Sequence, residues 1–160
     1  MKRNEILTVV YEYDSVSEMT KEEAYLIEKA KEAAMSAYAP YSKFQVGVSV
    51  LLANNKIVNG NNQENAAYPS GICAERVAVY YANSKYPDVA VKAIAICAYT
   101  NGAFIKFPIP PCGSCRQSLL ETETRFNSPI KIILAGAEKI LVVNSMKDLL
   151  PLHFNSDHLL

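Results

Sequence analysis

Regular patterning of apolar and polar positions begins at Thr20. Thr20 and Glu23 have the form of a capping box, and Ala24, Ile27, Ala30, Ala34 and Ala37 then recur at helical spacing until Pro40 forbids continuation. The first predicted element is therefore a helix. Residues 44–53 lose that period and are rich in Val and Leu, and Asn54-Asn55-Lys56 separates them from Ile57, Val58 and Gly60, which predicts a β-hairpin. Cys73 to Ala82 reads as a second helix. Val91 to Tyr99 is a nearly continuous apolar run of strand length, the pattern of a strand buried on both faces. Behind Pro108, Pro110 and Pro111, residues 116–121 look helical, because proline at a helix start removes an N–H that has no partner there anyway. Residues 130–135 and 140–143 read as two further strands, and Ser145 as the cap of a short helix that Pro151 ends.

This order predicts an α/β fold, a three-layer α/β/α sandwich around a mixed sheet of about five strands. Residues 1–18 form an N-terminal extension expected to add an edge strand. With 160 residues, half of them hydrophobic, the chain has the material for one core and is expected to be a single domain, 1–160. No internal repeat, linker or low-complexity segment interrupts it.

Charge narrows the partner. Lys plus Arg is 16 and Asp plus Glu is 16, with no dense basic run to neutralise phosphates, so a small neutral substrate fits better than nucleic acid. Ile6 to Val10 is too short, and too soon followed by Glu12 and Asp14, for a signal peptide, and no stretch has the length of a membrane span. A cytoplasmic protein without membrane partners is the expectation. Four cysteines in such a compartment read as metal ligands or core residues rather than disulfides.

Cys73-Ala74-Glu75-Arg76 and the later Pro111-Cys112-Gly113-Ser114-Cys115 supply three thiolates and one carboxylate. Four protein ligands close a structural zinc, whereas three leave a position open to solvent and make the ion a Lewis acid that activates water. Both clusters fall where a loop becomes a helix, and helix N-termini favour anions such as thiolates. Three thiolates leave the centre with a net charge of minus one, which weakens its acidity. Arg76 is placed in sequence to offset this by donating hydrogen bonds to the sulfurs. Cys97 lies inside Ile94-Ala95-Ile96-Cys97-Ala98 and reads as a core residue, while His153 and His158 lack ligand spacing. Glu75 alone would be a solvated helix carboxylate. Its place between the ligands makes it a proton carrier.

These residues resemble the zinc-dependent nucleoside deaminases, most closely the small cytidine deaminases, whose general pattern is a ligand-Ala-Glu triplet followed by Pro-Cys-x-x-Cys. The similarity extends through Ala39-Pro40-Tyr41-Ser42-Lys43-Phe44, Gly60 to Tyr68, Cys112 to Gln117, and Leu149-Leu150-Pro151 with Phe154. Taken alone, Phe44 reads as core, Asn62 and Glu64 as loop residues, and Tyr68 and Phe154 as packing. The resemblance implies other roles: Cys73, Cys112 and Cys115 as Zn2+ ligands, Glu75 as proton shuttle, Phe44 against the pyrimidine, and Asn62 with Glu64 on the ribose hydroxyls. It also implies a homotetramer in which Tyr68 and Phe154 help complete a neighbouring subunit's pocket. The reaction so implied is hydrolytic deamination of cytidine and deoxycytidine in pyrimidine salvage. A deaminase of another small aminopyrimidine, of the blasticidin type, and a non-catalytic structural zinc protein are the alternatives. The first would have no use for a ribose-gripping pair, and the second none for Glu75.

Overall fold

Helix α1 (Lys21–Ala34) starts at the predicted capping box: Thr20 Oγ1 accepts from the Glu23 N–H at 3.2 Å, and the Glu23 carboxylate accepts from the Thr20 N–H at 3.0 Å. It ends before Ala37, because the chain must become extended to pair Tyr38 with Gln63. The Tyr38 N–H donates to the Asn62 carbonyl, and its own carbonyl accepts from the Glu64 N–H. The computed structural model describes residues 1–159.

Seven strands form one mixed sheet: β1 (Tyr11–Tyr13), β2 (Gln45–Leu52), β3 (Ile57–Asn61), β4 (Val91–Thr100), β5 (Ala103–Phe104), β6 (Lys131–Ala135) and β7 (Ile140–Val143). The order is β1-β7-β6-β4-β2-β3, with β5 attached to β4. Among the described strands, only β4 and β6 pair in parallel. The expected five strands are present, the extension supplies β1 at the edge, and β5 is an addition. Its origin is local, since Asn101 and Gly102 both have positive φ (51° and 82°), the two-residue geometry that turns a strand back on itself. The segment expected as a short last helix is a single 3-10 turn, Met146–Leu149, capped by Ser145.

The sheet is covered on both faces. Val48, Val50, Leu52, Ile94, Ile96 and Ile132 face α2 (Ala74–Lys85) and α3 (Gly113–Phe126), whereas Leu51, Ala93, Ala95, Cys97 and Ile133 face α1. The alternation of successive side chains thus builds a three-layer sandwich. Close approach of helix to sheet is set by glycine at two places. A Cβ on Gly60 of β3 would lie 2.6 Å from the Ala78 nitrogen and 2.7 Å from the Ala74 carbonyl, and one on Gly47 of β2 would lie 2.0 Å from the Ala30 carbonyl. Backbone therefore rests on backbone under α1 and α2.

Topology then places the two helix starts together. α2 follows β3 directly and α3 follows the β4–β5 hairpin, and their first residues meet, with the sulfurs of the N-cap residues Cys73 and Cys112 3.9 Å apart. Ligand sites of open α/β sheets lie outside the carboxyl ends of strands.

α3 is fixed at its other end by Glu123, a buried carboxylate with 4% exposure. Its Oε1 accepts from the Ile130 and Met146 N–H groups at 2.6 and 2.8 Å, and its Oε2 from the Ser145 hydroxyl at 3.0 Å. One side chain thus ties the helix to the start of β6 and the end of β7. Removing it strands two backbone donors, each of which costs about 1–3 kcal/mol when left unpaired. Glu123→Ala should lower unfolding free energy by about 3 kcal/mol in urea titration, while the exposed neighbour Glu121→Ala stays within about 0.5 kcal/mol of the parent.

Candidate active site

Cys73 is the N-cap residue of α2 and Cys112 that of α3, with Cys115 in the first turn of α3. Neither cap makes a side-chain hydrogen bond to its helix, so both helix starts offer unsatisfied N–H groups and positive potential to the sulfurs. The three Sγ atoms lie within 4.8 Å of one another, at 3.9 Å for Cys73 to Cys112 and 3.5 Å for Cys112 to Cys115. Zn–S bonds of about 2.3 Å put the edge of a tetrahedron near 3.8 Å, so the donor set and its spacing fit zinc with one position left over. Among the described residues this is the only such group of Cys, His, Asp or Glu. Cys97 is buried on the α1 face of the sheet, where burial pushes its thiol up to about 12. His153 Nδ1 lies 3.0 Å from the Leu150 carbonyl and His158 Nδ1 2.8 Å from Asn155 Oδ1.

Charge within the cluster is uneven. The hydrogen bond from Cys115, and then those from Arg76 and Cys112, hold the Cys73 thiol at about 5 against the opposing effect of burial. Cys115 is pushed the other way, first by that same hydrogen bond and then by burial and the Glu75 charge. The terminal nitrogen of Arg76 lies 3.8 Å from Cys73 Sγ, and this contact holds the guanidinium's own proton more tightly. Its Nε is buried without a hydrogen-bond partner. Glu75 is 5% exposed, and burial, followed by the Cys73 charge, raises its pKa above the ordinary carboxylate value.

A cavity of about 590 Å3 opens beside the cluster, lined among others by Tyr41, Ser42, Asn62, Glu64, Tyr68, Cys73 and Arg76. Its size suits a small organic ligand. Asn62 uses its amide to clasp the start of β2, accepting from the Val46 N–H at 2.7 Å and donating to the Phe44 carbonyl at 2.9 Å. Glu64 accepts from the Tyr41 N–H at 2.9 Å, the Ser42 N–H at 3.3 Å and the Ser42 hydroxyl, and these bonds, the hydroxyl first, lower its pKa. Tyr68 is 78% exposed on the cavity wall and meets Tyr41 edge to face at 6.4 Å. Of the sequence candidates, Glu75, Cys112 and Cys115 lie behind Cys73 rather than on that wall, and two of the proposed substrate contacts are also absent from it: Phe44, whose backbone Asn62 holds, and Phe154, which stacks on His158 at 5.4 Å.

Two residues had no assigned role in the sequence. Ser42 joins Glu64 to the Phe44 backbone, and its signal was a serine two residues before the aromatic, a turn-forming spacing. Arg116 fixes the approach to Cys112, donating to the Pro111 carbonyl at 2.9 Å and the Leu149 carbonyl at 2.7 Å. Nothing local in the sequence marks that second, distant contact.

Residues 20–127 match the family model described as the cytidine and deoxycytidylate deaminase zinc-binding region. A cytidine deaminase of Halalkalibacterium halodurans is 37% identical over 132 residues, 82% of this chain and 93% of that protein. One of Sporosarcina psychrophila is 37% identical over 134 residues, 84% of this chain and 92% of that one. The crystal structure of cytidine deaminase from Burkholderia pseudomallei superposes with a TM-score of 0.71 at 37% identity, covering 85% of this chain and all of the other. The sulfur cluster, the sheet that carries it and these likenesses together show that the chain belongs to the zinc-binding cytidine and deoxycytidylate deaminase family.

Proposed function

We propose that the protein catalyses hydrolytic deamination of cytidine and deoxycytidine to uridine and deoxyuridine with release of ammonia. The observation that carries this is a buried carboxylate, Glu75, close enough to Cys73 and Cys115 to feel their sulfurs, in a three-sulfur cluster whose Cys73 lies on the wall of a cavity large enough for a nucleoside. The naming of both curated relatives as cytidine deaminases supports the same substrate. Cys73, Cys112 and Cys115 would hold zinc, whose Lewis acidity makes water a nucleophile near neutral pH.

Glu75 moves the protons. It takes one from the attacking water as oxygen adds to C4 of the base, delivers it to N3, and carries a second from the added hydroxyl to the leaving amine, so one carboxylate is base and acid in turn. Its burial favours the protonated form that the acid steps need. Arg76 offsets the negative charge of three thiolates through its contact with Cys73. Phe44, just beyond the wall of this cavity, is the aromatic assigned to the face of the pyrimidine. Asn62 keeps one amide hydrogen beyond those its backbone clasp uses, and Glu64 keeps acceptor capacity beyond its three protein donors, so both can still reach ribose hydroxyls. A ribose-free aminopyrimidine would leave that pair idle.

Residues 1–160 act as one deaminase domain in this reading, in the cytoplasm and in pyrimidine salvage, with no membrane or nucleic-acid partner. No described helix is long and apolar enough to cross a membrane. The assembly is a homotetramer in which the exposed rings of Tyr68 and Phe154 complete a neighbouring pocket.

With zinc-replete protein, cytidine absorbance should fall as uridine forms, and Glu75→Gln should retain its zinc by atomic absorption while losing about 10²–10⁴-fold in kcat. Parent-like turnover in that variant would rule out the proton shuttle. Arg76→Gln should keep the fold and lose about 10–100-fold in activity or zinc affinity; unchanged values for both would remove its assigned part. Size-exclusion chromatography with light scattering should give four chains per particle, and a fully active monomer would remove Tyr68 and Phe154 from any part in a neighbouring subunit's pocket.

A further inference from the structure

Ser42 belongs neither to the sulfur cluster nor to the groups assigned to base or sugar, yet it touches the supports of both. Its hydroxyl donates to Glu64 Oε1 and accepts from the Phe44 N–H at 3.0 Å, while its own N–H donates to Glu64 Oε2 at 3.3 Å. A hydroxyl has a single proton, so these two bonds fix its orientation and form a chain from amide to hydroxyl to carboxylate in which each bond polarises the next.

Between Ser42 and Phe44 the backbone is strained. Lys43 sits at φ 56°, in the left-handed region that a side chain disfavours. Its carbonyl accepts from the Thr100 hydroxyl at 3.0 Å, and the Phe44 carbonyl accepts from Asn62 at 2.9 Å. Strained backbone persists where its surroundings over-determine it, and such places concentrate at ligand clamps. Here the constraints converge on the short stretch that carries Phe44.

We propose that Ser42 is a positioning residue that couples the Glu64 carboxylate to the rigid backbone bearing Phe44, so that the sugar-binding group is aimed from the frame that carries the base-binding one. This rests on the assignment of Glu64 to ribose and Phe44 to the base. Loss of the hydroxyl frees Glu64 Oε1 to turn away from the sugar and leaves the Phe44 N–H without its acceptor, which weakens recognition of a nucleoside that carries ribose hydroxyls more than of one that lacks them. A serine that merely stabilised its turn would affect both nucleosides alike.

The test compares cytidine with 2′,3′-dideoxycytidine for the parent, Ser42→Ala, Ser42→Thr, Glu64→Ala and the double variant Ser42→Ala/Glu64→Ala. Ser42→Ala should raise KM for cytidine about tenfold with kcat changed less than about threefold, and should leave the dideoxynucleoside within about threefold of the parent. Ser42→Thr, which keeps the hydroxyl, should restore KM, and Ser42→Ala should add nothing to Glu64→Ala. Equal losses on both nucleosides, or losses that multiply in the double variant, would overturn the coupling and leave Ser42 a turn residue. If Glu64→Ala discriminates between the nucleosides and Ser42→Ala does not, the coupling alone fails. If Glu64→Ala does not discriminate, the ribose assignment fails and the coupling falls with it.

Discussion

Three sulfurs that favour negative charge gather within a few ångströms only where positive potential is aimed at their meeting point. Here two helix starts and one guanidinium supply it, with Cys73 and Cys112 as N-cap residues and Arg76 against Cys73. The rest of the architecture can be understood as the means of holding those helix starts together. α2 leaves β3 and α3 leaves the β4–β5 hairpin so that their N-cap sulfurs lie 3.9 Å apart. Glu123 anchors the far end of α3, and Arg116 braces its beginning.

Local chemistry was legible in the sequence where one residue's neighbours decide its state. The Thr20 capping box, the hairpin of β2 and β3, the burial of Cys97 and the convergence of three cysteines all follow from short-range pattern. The end of α1 did not, because what stops it is a bridge from Tyr38 to Gln63, a partner 25 positions away that no helical period encodes. β5 was present as the turn pair Asn101-Gly102, overlooked beside the long apolar run before it. Glu123 carries no local mark of its role, because only the path of β6 and β7 brings three donors to it.

The side proposed to bind substrate obeys a different logic from the side proposed to bind metal. Asn62 and Glu64 are held by backbone groups of residues 41–46 before any ligand arrives, so their orientation is settled during folding rather than on binding. Such preorganisation reduces what a ligand must order when it binds. A family pattern can mark these two positions. The contacts that aim them are visible only in three dimensions.

The bare glycine at position 60 has a bearing on how the pocket can evolve. Because the α2 backbone rests on β3 with no side chain between, the distance from Asn62, just past the end of β3, to Cys73, at the head of α2, has no compressible layer through which it could drift. Substitutions elsewhere in the core can swell or shrink the sandwich, but this span behaves as a fixed gauge. A change in the width of the pocket must therefore arise at a wall that is not tied to this span, such as the exposed ring of Tyr68.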